Sequence, residues 1–159
     1  MNEKVAYLTW LYKKVWPRLL SWVEQSNTPS TIHNYVYTNG KNQPQEILQA
    51  IREGHSFISN GPLVTAEVNG ASYGEKAVLK DNTGKLSVHV FSKKPINHLW
   101  MYTGADKKVE LCAKADTAEG GFTYDIAADE FDFGDTAWAL FVADGGENNL
   151  AISNPILFA

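Results

Sequence analysis

Ile51-Arg-Glu-Gly-His-Ser-Phe-Ile-Ser-Asn-Gly-Pro-Leu-Val-Thr-Ala-Glu-Val-Asn-Gly70 is the stretch that decides the fold of this chain. Its first residues finish a helix, and Gly54 is a natural helix C-terminal stop. Residues 57–59 read as a short strand. Asn60-Gly61-Pro62 then forms a tight corner. Pro62 fixes its own φ and restricts Gly61, while the Asn60 side chain can bond the backbone two residues on. Residues 63–68 alternate between apolar and polar side chains, the period of a half-buried strand, and close in an Asn69-Gly70 turn. Helical periodicity ends here and strand periodicity begins.

Working upstream, Pro44 to Glu53 reads as a helix. Pro44 suits its first turn, and Ile47, Leu48 and Ile51 are its expected buried face. Before it come a strand at Tyr35-Val-Tyr-Thr, an Asn39-Gly40 turn, and a Ser/Asn/Thr/Pro-rich linker over 26–34. Residues 3–25 are amphipathic and aromatic. Val5, Leu8, Tyr12, Val15, Leu19 and Trp22 recur at spacings of three and four, as one helix face requires. Pro17 interrupts this run and predicts a kink or two short helices. The face predicts packing on the chain's own body, or an interface through residues 5–23 with a missing domain or a second copy. A membrane-surface helix would carry a richer Lys/Arg face.

Downstream, short strands are expected over 76–80, 85–92, 98–103, 108–114, 122–127, 136–143 and 151–158. Gly, Asn and Asp turns separate them, and no helical pattern intervenes. Phe122/Tyr124/Ile126 and Trp138/Leu140/Val142 show the alternation most plainly. The expected fold is mainly β: an antiparallel β-sandwich, Ig-like in character, preceded by N-terminal helices. The expected division is a helical lead-in and linker over 1–33. Residues 34–159 then hold a short strand, the connecting helix and the sandwich.

The chain has 159 residues, enough for a core without disulfides or metal, and its 44% apolar content is that of a globular protein. Its net charge is −4 and no basic stripe interleaves with aromatics, so nucleic-acid binding is not expected. Cys112 is alone and sits in a strand-like run, so it reads as a small buried hydrophobe. Charges and Pro17 interrupt the N-terminal apolar residues, which argues against a signal peptide and a membrane span. Localisation stays open, since a parent protein is free to carry a leader.

None of His33, His55, His89 and His98 stands in a paired metal-ligand motif, so no metal site is expected in this chain. His55, just before the corner, is the histidine to watch. Asp125, Asp129, Glu130, Asp132 and Asp135 read as a solvated acidic turn, without the spacing of a calcium loop. Asp132-Phe-Gly lacks the phosphate loop and catalytic loop a kinase needs, and Ser56 and Ser59 lack a nucleophile elbow. The site candidates are therefore His55, Asn60, Gly61 and Pro62, as the rim of a neighbouring pocket. Trp100, Tyr102 and Trp138 are candidate stacking platforms for a ligand such as a carbohydrate.

Three pieces resemble the C-terminal part of PHP-type (polymerase-and-histidinol-phosphatase-like) metal-dependent hydrolases of the CehA/McbA-like branch. They are Asn34-Tyr-Val-Tyr-Thr with the helix Glu46 to Gly54; Ser56-Phe-Ile-Ser-Asn-Gly-Pro-Leu63 running into Glu67-Val-Asn-Gly70 and Gly74; and Ala151-Ile-Ser-Asn-Pro-Ile-Leu-Phe158. The resemblance covers roughly 34–159. It implies a parent enzyme hydrolysing phosphoesters or amide and carbamate bonds. A divalent metal would be held by HxH and GxDxH motifs in a preceding catalytic domain. Neither motif occurs here, and His55 stands where the family often has Arg. The expectation is a non-catalytic region that buttresses the catalytic domain, shapes its pocket rim or mediates assembly. The rival is an independent ligand-binding module.

Overall fold

The structure, a computed structural model, describes residues 32–159 apart from residues 39, 41–42, 105–107, 112–114, 119 and 147. The expected N-terminal helices, Cys112 and most of the expected linker lie outside the described residues.

The described chain is mainly β. In order it runs β1 (His33–Val36), α1 (Pro44–Glu53), β2 (Ser56–Ser59), β3 (Leu63–Val68), β4 (Lys76–Ala77), β5 (Thr83–Ser92) and β6 (His98–Thr103). It continues with β7 (Lys108–Glu110), β8 (Ala115–Ala118), β9 (Gly121–Asp132), β10 (Trp138–Asp144), β11 (Leu150–Ser153) and β12 (Ile156–Phe158). Strands β3-β5-β9-β8 form a four-stranded antiparallel sheet. The larger, eight-stranded sheet has the path β1-β2-β11-β10-β12-β4, with β6 and then β7 on the other edge of β10. Its pairings are antiparallel except β12 with β4.

The corner at residues 60–62 carries the chain from β2 in the large sheet to β3 in the small one. Both sheets feed one buried cluster. Val64, Ala66, Leu86, Val88 and Val90 come from the small sheet, and Phe57, Met101, Phe141, Ala151 and Ile156 from the large one. The small sheet keeps the expected alternation, so every other residue of β3 is exposed. In the large sheet, β10 is buried from Trp138 through Ala143 and β11 throughout. Their alternate residues Trp138, Leu140, Val142, Leu150 and Ile152 form a second cluster on the opposite face.

Helix α1 begins with Pro44 after a reciprocal Gln43–Glu46 capping box, and ends where Gly54 takes a left-handed φ of 83°. Its buried face differs from expectation. Ala50 is buried, whereas Leu48 is 53% exposed and Ile51 is 40% exposed. Successive residues turn about 100° around a helix, so an inward Ala50 puts Ile51 on a flank. The strand expected at Tyr35 starts earlier, at His33, inside the stretch read as linker. The strand expected over 151–158 is two, because Asn154-Pro155 breaks the ladder between β11 and β12. The acidic run is largely strand rather than turn: β9 extends through Asp132. Its carboxylates sit on the exposed face, where Asp125 meets His89 at 2.5 Å and Asp129 meets Lys85 at 3.0 Å.

Candidate functional site

The corner is held by side chains at both of its ends. The Ser59 hydroxyl donates to the Pro62 carbonyl at 2.5 Å and accepts from the Gly61 N–H at 2.9 Å. Asn60 reaches across to β11. Its Oδ1 accepts from the Leu150 N–H at 2.7 Å, and its own N–H donates to the Leu150 carbonyl at 3.1 Å. The amide is thus fixed in direction, but by β11 rather than, as the sequence suggested, by the backbone two residues on; Ser59 makes that local bond instead, and the Asn60 oxygen is committed to the fold.

Gly61 is needed for space. An added Cβ would stand 2.5 Å from the Asn149 Oδ1. That amide is itself buried and fixed: Ser92 Oγ donates to its Oδ1 at 3.2 Å, and its Nδ2 donates to the Pro95 carbonyl at 3.1 Å. Pro62 is buried behind the corner. Asn60 and Gly61 line a cleft of about 340 Å³ together with Tyr35, Leu63, Lys93 and Lys94. Two ammonium groups beside an aromatic ring and an amide suit an anionic partner with an apolar part.

His55 is placed elsewhere. It precedes β2 while the corner follows it, which separates them by roughly 15 Å at the rise of an extended strand. Its ring faces Glu53 at 3.8 Å and lines a different depression with Tyr37, Gln49 and Glu53. The structure brings Asn60, Gly61 and Pro62 together and leaves His55 apart.

The stacking candidates sit on the large sheet. Trp138 is 2% exposed and so offers no open ring face. Trp100 is half-buried: Lys108 Nζ lies 3.3 Å from its ring centroid, and the His98 ring stacks on it at 4.9 Å. The half-buried Tyr102 ring lies 5.7 Å from the same Lys108 Nζ. Among the described residues, no three His, Cys, Asp or Glu side chains group as metal ligands, and no helix is long and apolar enough to cross a membrane.

Sequence reading missed Asn149 as a support of the corner. Its signal is faint: an Asn-Asn pair next to Leu150, with partners more than fifty residues away in Ser92 and Pro95. Asn154 is a second such tie, donating through Nδ2 to the Ser56 carbonyl at 3.0 Å and to Ser56 Oγ at 2.9 Å. No family model, curated protein or solved structure matches the chain.

Proposed function

We propose that this chain is a non-catalytic accessory region of a PHP-like metal-dependent hydrolase, of the phosphoesterase or amidohydrolase type. Its two sheets stack as an antiparallel β-sandwich of Ig-like character. One observation carries the reading. Of the stretches that resemble the family, the last, Ala151 to Phe158, lies more than seventy residues beyond the others in sequence yet meets them in space. β1 pairs with β2, and β2 pairs with β11. Asn60 is bonded to Leu150, and Asn154 to Ser56. Gly54 at the end of α1 packs on Gly74. A motif set whose remote C-terminal piece joins the others in the fold is what a shared structural unit produces.

Tyr35 on β1 and Leu48 and Ile51 on α1 are exposed, apolar side chains for a catalytic domain to cover. The divalent metal and its ligands belong to that domain. The corner with Asn60, Gly61 and Pro62 stands at the rim of the joint pocket. In the rival reading as a carbohydrate-binding module the rings would need open faces, and those of Trp100 and Trp138 are largely occupied.

The test is turnover of the purified 159-residue chain on aryl phosphate, anilide and aryl carbamate substrates, with zinc or manganese added. Rates equal to those of metal in buffer are expected. Robust metal-dependent turnover by the chain alone would overturn the reading. So would a full-length parent protein without HxH and GxDxH motifs ahead of residue 1.

A further inference from the structure

The two lysines of the cleft beside the corner are held there by one buried amide. Lys93 and Lys94 fall between Ser92 and Pro95. Asn149, 3% exposed, clamps both ends of that bend: its Oδ1 accepts from Ser92 Oγ at 3.2 Å, and its Nδ2 donates to the Pro95 carbonyl at 3.1 Å. Three glycines let backbone and amide come this close. A Cβ at Gly61 or at Gly145 would run into the Asn149 amide, and one at Gly121 into the Ser92 carbonyl. The bend is thus fixed against the corner, and both of its lysines line the cleft. Among the described residues neither Lys93 nor Lys94 has an ion pair, although the chain carries a net charge of −4.

Asn60 adds a directed donor. The Leu150 N–H bonds to its Oδ1, which settles which end of the amide is the oxygen. Its Nδ2 has no partner among the described residues and is not sealed from solvent. The remaining wall is apolar. Leu63 and Phe91 are cross-strand neighbours on β3 and β5, and Leu63 is 39% exposed. The Tyr35 ring stacks flat on Phe57 at 4.8 Å, with 8° between the planes, and is still 37% exposed. At about 340 Å³ the cleft is at the small end of ligand sites.

We propose that this cleft binds a small aryl phosphate, with the phosphate held by Lys93, Lys94 and the Asn60 Nδ2 and the ring laid on Leu63, Phe91 and Tyr35. Two adjacent ammonium groups match a dianion better than the single charge of a carboxylate. Ammonium groups act as point charges on flexible stems, so the fixed amide of Asn60 supplies the orientation. The apolar wall contributes only when a ring removes it from water. Binding here is a property of this chain alone and goes beyond the accessory reading, which turnover tests separately.

The experiment is an amide NMR titration of the full 159-residue chain with phenyl phosphate, at low salt and about pH 8, where a phosphate monoester is a dianion. Saturable shifts are expected at Gly61, Lys93 and Lys94, with a Kd on the order of 1 mM. Inorganic phosphate, which lacks the ring, and benzoate, which lacks the second charge, should each bind at least about tenfold more weakly. Replacing Lys93→Ala and Lys94→Ala together should abolish saturation. Lys80→Ala with Lys85→Ala removes the same charge elsewhere and should leave the affinity unchanged. Asn60→Asp keeps an oxygen for the Leu150 N–H but turns the donor into a negative oxygen, so it should abolish binding in a folded chain. Absence of saturable shifts up to about 20 mM phenyl phosphate overturns the proposal. So does binding that survives the Lys93 and Lys94 replacements. Equal affinity for inorganic phosphate would reduce the cleft to a patch of charge, and equal affinity for benzoate would remove the preference for phosphate; either result overturns it too.

Discussion

At the scale of single residues, two glycines set the junction of α1 with the loop before β4, and an asparagine sets the corner. Gly54 and Gly74 are both left-handed, at φ 83° and 80°, and pack against each other where α1 meets the loop before β4. A Cβ on Gly74 would collide with the Glu53 carbonyl oxygen and crowd the Gly54 backbone. Gly120 is equally left-handed, at φ 84°, but has open space around it. Gly120→Ala should therefore cost about 1 kcal/mol, from backbone conformation alone. Gly74→Ala should cost more than about 3 kcal/mol, because backbone must move as well. Urea unfolding of the two variants checks the difference. Asn60→Ala leaves the Leu150 N–H without its acceptor and should cost about 1–2 kcal/mol, whereas Asn60→Asp keeps an oxygen there and should recover most of that. In a full-length parent, turnover should fall further with Asn60→Ala than the lost stability explains; equal activity would reduce the corner to an ordinary turn.

At the scale of elements, the fold was legible where punctuation and periodicity agreed. Pro44 and Gly54 bound α1, and alternation bounds β3 and β6, all with the limits expected from sequence. β8 was not legible, because Ala115-Asp-Thr-Ala has no apolar alternation to bury; its role is to extend the edge of β9. β9 was read too short because clustered carboxylates resemble a turn, when in fact they face solvent along a strand and pair across to β5. The corner was legible in Asn60-Gly61-Pro62, and Asn149 was not, since its partners are long-range. Tyr37, just after β1, and Tyr73, between β3 and β4, are both tied to β3: each hydroxyl donates to the Val64 carbonyl, at 3.5 Å and 3.1 Å. Burial raises both phenol pKa values, with Glu67 adding to it at Tyr37 and Tyr37 adding to it at Tyr73. In the unfolded chain these phenols lose protons around pH 10, while the folded chain holds them to higher pH. The unfolded state then binds fewer protons, so stability is intact below pH 10 and falls as pH rises above it. Tyr73→Phe should flatten that alkaline decline while costing about 1 kcal/mol at neutral pH. Denaturant midpoints at pH 8 and pH 11 measure both effects.

At the scale of the whole molecule, the shared cluster makes the two sheets one cooperative unit. Phe141 from β10 is fully buried in the cluster that also holds Val88 from β5 and Tyr124 from β9. The large sheet itself is closed by long-range pairing, as where Ser59 meets Ala151. Such non-local contacts place folding in the range of milliseconds to seconds. They also mean that neither sheet has a complete core alone. Native-state hydrogen exchange should therefore give the most protected amides of β5, β9 and β10 the same opening free energy, close to the global value. Phe141→Ala opens a cavity and should cost roughly 3–5 kcal/mol. Because the cluster is common property, that loss should appear equally in the amides of β10 and in those of β5 and β9, which belong to the other sheet. A loss confined to the large sheet would show two units unfolding separately. The corner would then be a linker between them rather than the rigid joint that its bonds to Leu150 and Pro62 describe.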